Sequence, residues 1–208
     1  DWHDLPQKKA QAQKKERKSS VSLNNRSGQS IEKRDPAILG RNTYGNWEMD
    51  TVVSGQKTGK SCLLVLSERM TREEIMIKVK DKKAASVVRA LDQLERKYGS
   101  KGFREKFKTI TCDNGVEFLD NEGICRSCLT KRNRTDLYYC HPYSAYERGT
   151  NENINRMIRR FFPKGTNFDE VSKQQIEMVE TWINNYPRKL FGWVSSRQYR
   201  ENLGLATA

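Results

Sequence analysis

At 208 residues the chain has room for one good-sized domain with its own core plus tails, and hardly for two full domains. Apolar residues make up 35% and mean hydropathy is −0.90, which points to a sizeable exposed fraction; no run of 18 apolar residues exists, so no membrane-spanning helix is expected. Lys and Arg number 39 against 26 Asp and Glu, a formal net charge of +13, and so basic a chain points to a polyanionic partner, nucleic acid ahead of a membrane surface.

Residues 1–34 hold nine Lys/Arg and four acids with hardly any apolar periodicity. Such a segment buries too little surface to offset its ordering entropy, so residues 1–40 read as a basic flexible linker or arm able to lie along phosphates. The chain opens at Asp1 without Met and without a secretory-leader pattern, and further chain is expected upstream. Residues 41–208 remain for the folded core.

Three runs rich in apolar and β-branched residues, WEMDTVVS (47–54), SCLLVLSE (61–68) and EIMIKVK (74–80), predict an antiparallel meander. KKAASVVRALDQLERKYG (82–99) then sets Ala84, Val87, Val88, Leu91, Leu94 and Tyr98 on one helical face, with Gly99 closing it. KTITC (108–112) predicts a fourth strand and DLYYC (136–140) a fifth, with a short helix and a basic loop over 120–135 between them. A helix over 151–162 carries Ile154, Met157, Ile158 and Phe161 on its apolar face. A last one, with Ile176, Val179, Ile183 and Tyr186 on one side, starts near Ser172 and ends before Pro187.

Five cysteines, at 62, 112, 125, 128 and 140, read as reduced thiols in a cytosolic setting. Cys125-Arg-Ser-Cys128 followed by Cys140-His141 has the outline of a zinc site. Adjacent residues of an extended segment point to opposite faces, so zinc is the weaker reading.

Asp113-Asn114-Gly115 ends the fourth strand, and a plain turn explains that tripeptide by itself. In open α/β sheets, however, chemistry collects at the carboxyl ends of strands. Asp50 lies in the middle of the first strand, and if the two strands are neighbours both carboxylates face one point. Glu152, in the first turn of the 151–162 helix, offers a third; alone it would be a helix N-terminal acid. Glu152, Asn155, Arg156 and Arg159 recur at i, i+3, i+4 and i+7, a polar stripe opposite the apolar one. Glu48, Glu117 and Asp120 are competing acids, Glu48 sharing a strand face with Asp50. Three converging acids repel one another unless a cation joins them, and hard divalent ions with oxygen ligands do so, Mg²⁺ above all, with Mn²⁺ able to substitute. Two such ions roughly 3.5 to 4 Å apart can clamp the attacking and leaving oxygens of a phosphoryl transfer.

GNWEMDTVVSG, TCDNGVEF, HPYSAYERGTNENINRMIRRFFPKGTNF and INNYPRKLFGW, in that order, resemble the catalytic domain of IS30-family insertion-sequence transposases, of the DDE transposase and retroviral integrase superfamily. The resemblance implies an α/β, RNase H-like fold, a five-stranded mixed sheet flanked by helices. It implies that Asp50, Asp113 and Glu152 are the metal-binding catalytic triad, and that Arg148, Asn151, Arg156, Arg159, Arg160 and Lys164 lie near DNA. The implied activity is cleavage of DNA at an element's ends and strand transfer by a two-metal mechanism, in a homo-oligomer on DNA, in the bacterial cytoplasm at the nucleoid. Family members usually carry a helix-turn-helix region upstream that recognises the element's ends. The interval between Asp113 and Glu152 is longer than the family pattern leads one to expect, and the excess, over Cys125–Arg134, reads as a tolerated surface insertion. Tyr143, Tyr146 and Trp193 could stack on frayed bases, with core packing the plainer role for at least two of them. A non-catalytic DNA-binding derivative and a nuclease that only hydrolyses are the alternatives.

Overall fold

The computed structural model describes residues 28–55, 58–141 and 149–205. Their elements are β1 (Gln29–Ser30), β2 (Asn46–Val53), β3 (Cys62–Glu68), β4 (Glu74–Val79), α1 (Ala84–Lys106), β5 (Thr109–Cys112), α2 (Asn121–Cys125), β6 (Asp136–Tyr139), α3 (Gly149–Phe161), α4 (Lys173–Asn185), β7 (Pro187–Arg188), β8 (Val194–Ser195) and α5 (Ser196–Asn202). The main sheet has the order β1-β6-β5-β2-β3-β4, with β2–β3–β4 antiparallel and β2–β5–β6–β1 parallel. It is the expected mixed α/β architecture.

Alternation along the strands divides the core into two layers. Trp47, Met49, Leu64, Leu66, Ile110, Cys112 and Leu137 pack on one face with Val87, Leu91, Leu94 and Phe103 of α1. Val52, Leu63, Val65 and Met76 face the other way, onto Ile154 and Ile158 of α3 and Ile176, Val179 and Ile183 of α4. Each large side chain fully buried in these layers contributes about 1.5–3 kcal/mol of transfer free energy. Glu48 and Asp50, on the parity of Val52, therefore look toward α3.

α4 also covers the exposed edge of the sheet. Its Asn184 accepts from Glu74 N (2.9 Å) and donates to Glu74 O (2.8 Å), while Glu180 accepts from Met76 N (2.6 Å). Side chains thus stand in for a missing strand, which blunts edge-to-edge pairing. The helix begins where expected, with Ser172 and Gln175 forming a reciprocal capping box.

Three expectations need correction. A sixth strand comes from the segment assigned to the basic arm: Gln29–Ser30 pairs in parallel with Tyr138–Tyr139, and Arg34 and Ile38 are buried, so residues 28–40 belong to the folded body. Residues 1–27 lie outside the described part. Gly99 does not close α1. It bends it, adopting φ 72° and ψ 161°, after which helix resumes to Lys106 and brings Phe103 into the core.

The third concerns Cys125–Arg134: Arg126 and residues 129–133 are exposed, as a surface segment should be, but Ser127 and Arg134 are buried and tie it to α1. Arg134 is wholly buried, donating Nε to Ile124 O (2.8 Å), Nη2 to Gly123 O (2.9 Å) and Nη1 to Asp92 Oδ1 (2.7 Å) and Glu95 Oε2 (3.0 Å) of α1. Glu95 also accepts from Ser127 Oγ and from Cys128 N at 2.8 Å, so the loop and α1 are stapled by one ionic network.

Candidate active site

The three acids are positioned by β2, β5 and α3. β2 pairs with β5 through Asn46↔Thr109, Trp47↔Ile110 and Glu48↔Thr111. Asp50 lies two residues beyond Glu48 on β2, and Asp113 two residues beyond Thr111, in the turn that follows β5. Neighbouring strands lie roughly 4.8 Å apart. β5 leaves the ladder at Cys112, so Asp113 stands in the turn just past the carboxyl end of the strand, beside a β2 that continues to Val53.

α3 is laid along β2 and fixed at three heights. At the bottom, Thr150 Oγ1 receives Arg72 Nη1 (2.8 Å) and approaches Glu48 Oε1 (3.5 Å). In the middle, Asn155 Nδ2 donates to Asp50 Oδ2 (2.9 Å), and at the top Arg159 Nη2 donates to Val53 O (3.0 Å). From Thr150 to Asn155 a helix rises about 7.5 Å and from Glu48 to Asp50 a strand rises about 6.6 Å, so the two run in step there. Glu152 accordingly lies at the height between Glu48 and Asp50. The Thr150 flank of α3 meets Arg72 of the β3–β4 turn, so the opposite flank, which carries Asn155 and Glu152, is turned toward β5 and Asp113.

Each competing acid has partners of its own. Glu48 is fully buried and ion-paired with Arg69, under the first turn of α3. Glu117 lies on the Thr51 side of the sheet, accepting from Thr51 Oγ1 (2.6 Å) and paired with Lys82 (3.2 Å). Asp120 caps α2, accepting from Gly123 N at 2.8 Å.

Asp113 itself is half-buried, its Oδ1 accepting from Gly115 N at 2.9 Å. A Cβ on Gly115 would lie 2.6 Å from Glu117 Oε2 and 2.9 Å from Asp113 Oδ1, so the turn admits only glycine without displacing one carboxylate. Asp50 is half-buried, with Oδ1 accepting from Thr51 N at 2.9 Å, and Glu152 is exposed. The donors named here for Asp50 and Asp113 are neutral amides, and a carboxylate oxygen has lone-pair capacity beyond one such bond. An all-oxygen donor set of this kind suits a hard divalent cation.

Of the residues expected near DNA, Arg156, Arg160 and Lys164 are exposed, whereas Asn151 is buried. Arg159 is half-buried: besides Val53 O, it donates to Phe162 O (3.4 Å) and Pro163 O (3.3 Å), so it also clamps the end of the helix. Arg148, with Tyr143 and Tyr146, lies outside the described residues. Sequence reading missed Thr150 and Arg72 as anchors of α3, and gave Asn155 no partner. Only the i, i+3 spacing of Glu152 and Asn155 hinted that the two share a flank.

All five cysteines are reduced thiols. The residues of the suspected zinc motif point to different neighbours. Cys125 Sγ is 3.4 Å from Asn121 Oδ1, Cys128 Sγ is 3.9 Å from Asp92 O, and His141 Nε2 is 3.0 Å from Glu32. Burial pushes the Cys125 thiol up to about 11. Among the described residues Asp92, Glu95 and Cys128 do cluster, but Arg134 already supplies their cation.

A mixed sheet of this order with a helix laid along its central strands has the architecture of an RNase H-like core. The comparisons agree with that class. Residues 41–145 match the family model described as Integrase core domain, and the chain belongs to that family. It is 38% identical over 174 residues to the probable transposase for insertion-like sequence element IS1161 of Streptococcus salivarius, covering 84% of this chain and 46% of that protein. It is 32% identical over 180 residues to transposase InsI for insertion sequence element IS30A of Escherichia coli K12, covering 86% and 44%. The chain thus spans less than half the length of these IS30-type relatives. Among solved structures, a chain of the simian T-cell lymphotropic virus intasome superimposes with a TM-score of 0.56 at 16% identity, covering 74% of this chain and 52% of that one, a likeness of fold. Among the described residues no helix is long and apolar enough to cross a membrane.

Proposed function

We propose that this chain is the catalytic part of an insertion-element transposase, which cuts DNA at the element's ends and joins the freed 3′-hydroxyl to target DNA. The observation that supports the reading is the clamping of α3 along β2 by Thr150, Asn155 and Arg159, from which Glu152 would reach toward Asp50 and Asp113. The similarity to insertion-element transposases supports the same assignment.

Asp50, Asp113 and Glu152 would hold divalent ions, Mg²⁺ with Mn²⁺ as substitute. The chemistry such ions supply when bound is activation of water or a 3′-hydroxyl and neutralisation of charge on the phosphate. Asn155 fixes the Asp50 carboxylate, and the Gly115 N–H fixes that of Asp113, so the donor set is preorganised before DNA arrives. In the first reaction water displaces the 3′-oxygen of the element's end. In the second that 3′-hydroxyl forms a bond to a target phosphorus while the target's own 3′-oxygen leaves, so the number of phosphodiester bonds is conserved. Arg156, Arg160 and Lys164, exposed on and after α3, neutralise backbone phosphates and give affinity that falls steeply with salt. Inserting an element joins two ends, so at least two copies act together on DNA, at the bacterial nucleoid.

The test is nicking of supercoiled plasmid, and joining of a pre-cut end to it, with Mg²⁺, Mn²⁺ or EDTA. Metal-dependent nicking and joining that Asp113→Asn abolishes is the expected result. Joining at the wild-type rate by Asp113→Asn refutes the assignment, and nicking without joining leaves a nuclease.

A further inference from the structure

The flank of α3 opposite Glu152 borders a cavity of about 500 Å³ that none of the three acids lines. Ile154 and Met157, buried core residues of α3, and the exposed Tyr186, Leu190 and Trp193 supply its apolar lining. Five cations line it, Arg41, Arg72, Arg160, Arg188 and Lys189, and no acid does. Trp193 is 68% exposed, so its ring is held at the cavity mouth rather than spent on the core. Arg72 is buried and Arg41 and Arg188 are half-buried, while Arg160 and Lys189 are exposed, so part of this charge is desolvated and a bound anion would offset the cost.

A second observation, independent of the lining chemistry, marks the same place. Among the described residues four non-glycine residues have left-handed φ, and three of them line this cavity: Arg41 (54°), Arg72 (59°) and Trp193 (69°). Backbone strain of this kind persists only where the surroundings impose it, and it gathers at ligand-holding sites. Arg72 is held on one side by its bond to Thr150, and Arg188 Nε is buried without a partner.

We propose that this cavity receives an unpaired nucleotide of a DNA strand, its base over Ile154 and Met157 against the Trp193 ring and its phosphates on the surrounding cations. The proposal rests on the assignment of DNA as substrate and adds where a frayed or extended strand goes. Asn153, Arg156 and Arg160 form the solvent-facing ridge of α3 between Glu152 and the cavity. A strand crossing that ridge spans one helix diameter, about 10 Å. The base class is left open by the lining, since stacking accepts every base and the cations read only phosphate.

Binding is measured by fluorescence anisotropy without divalent metal, using the full chain and two labelled duplexes, one blunt and one with a short single-stranded 3′ extension. Wild type is expected to prefer the extended duplex. Trp193→Ala is expected to weaken that duplex about tenfold more than the blunt one, the scale of one lost base–aromatic stack, and Trp193→Phe to restore most of the preference. Lys189→Ala should lower the salt slope for the extended duplex by about one. Wild type binding both duplexes equally, or Trp193→Ala keeping the preference, overturns the pocket and leaves the DNA assignment standing. Failure of wild type to bind either duplex overturns the DNA assignment and the pocket with it.

Discussion

Arg134→Met is the perturbation whose size the structure sets most narrowly. Methionine fills much of the same volume but removes four hydrogen bonds, two of them to the carboxylates of Asp92 and Glu95 and two to the carbonyls of Gly123 and Ile124. Asp92 is partly exposed and regains water, whereas the Glu95 side chain is fully buried and keeps only Ser127 Oγ and Cys128 N. Breaking a buried pair from one side costs about 3–5 kcal/mol. At about 2–4 °C per kcal/mol for a chain of this size, Tm should fall by roughly 10 °C. Adding Glu95→Gln should recover part of the loss, because the uncompensated charge goes with it.

The pH dependence has a definite sign. Burial raises the Glu95 carboxyl, but Ser127, Cys128 and Arg134 more than offset it and hold it below the usual range. Stability from such a group is present above the unfolded pKa, about 4.3 for Glu, and is lost as pH falls through the depressed folded value. The gap between wild type and Arg134→Met should therefore narrow in acid. Urea unfolding at pH 7 and pH 4 reads both effects, and a variant within about 1 kcal/mol of wild type at pH 7 would refute the buried-staple account.

Asn155→Ala should lower strand cleavage about 10- to 100-fold with DNA affinity kept, as for groups that orient metal-binding carboxylates; cleavage at the wild-type rate removes Asn155 from that role. Burial pushes the Glu180 carboxyl up to about 7, well above the usual carboxylate range, so wild-type stability falls as pH rises across that window. Glu180→Gln, which still accepts from Met76 N, should be more stable than wild type by up to about 3 kcal/mol at pH 8 and by almost nothing at pH 4; an equal difference at both would show that Glu180 is not the titrating group. Arg156→Ala should reduce the salt dependence of DNA binding by about one counterion, while Arg159→Ala should chiefly lower Tm, and the reverse pattern would contradict their different burial.

How far the sequence carried the structure depended on whether local pattern or tertiary context decided each element. β3 and β4 are apolar runs between breaks, and their observed bounds fall within a residue or so of the expectation; the cap at Ser172 is equally local. β1 is two residues long with no alternation to recognise, and it exists because β6 offers an open edge. Gly99 is a stop by propensity, but the apolar Phe103 and Phe107 beyond it make continued burial of the chain worth the bend. Arg134 sits in a polar, basic stretch, and its burial depends on two acids of α1 far away in sequence. Strand parity let Asp50 and Asp113 be paired only on the condition that their strands are neighbours, and that adjacency of β2 and β5 is set by tertiary order rather than by local pattern. Arg159 could not be placed in advance, since the same spacing that puts it beside Glu152 also lets its long side chain turn back to Val53 and the end of α3. The cavity beyond α3 draws on four separate segments, which no periodicity connects.

The central claim is that Asp50, Asp113 and Glu152 share one divalent-metal site. Iron-directed backbone cleavage tests it most directly: the chain is loaded with Fe²⁺, exposed to peroxide and ascorbate, and the fragments are mapped. The account predicts cuts near residues 50, 113 and 152 together, all suppressed by excess Mg²⁺ and all weakened by Asp113→Asn. Cuts that fall elsewhere, or cuts near one acid that persist when another is replaced, would contradict it.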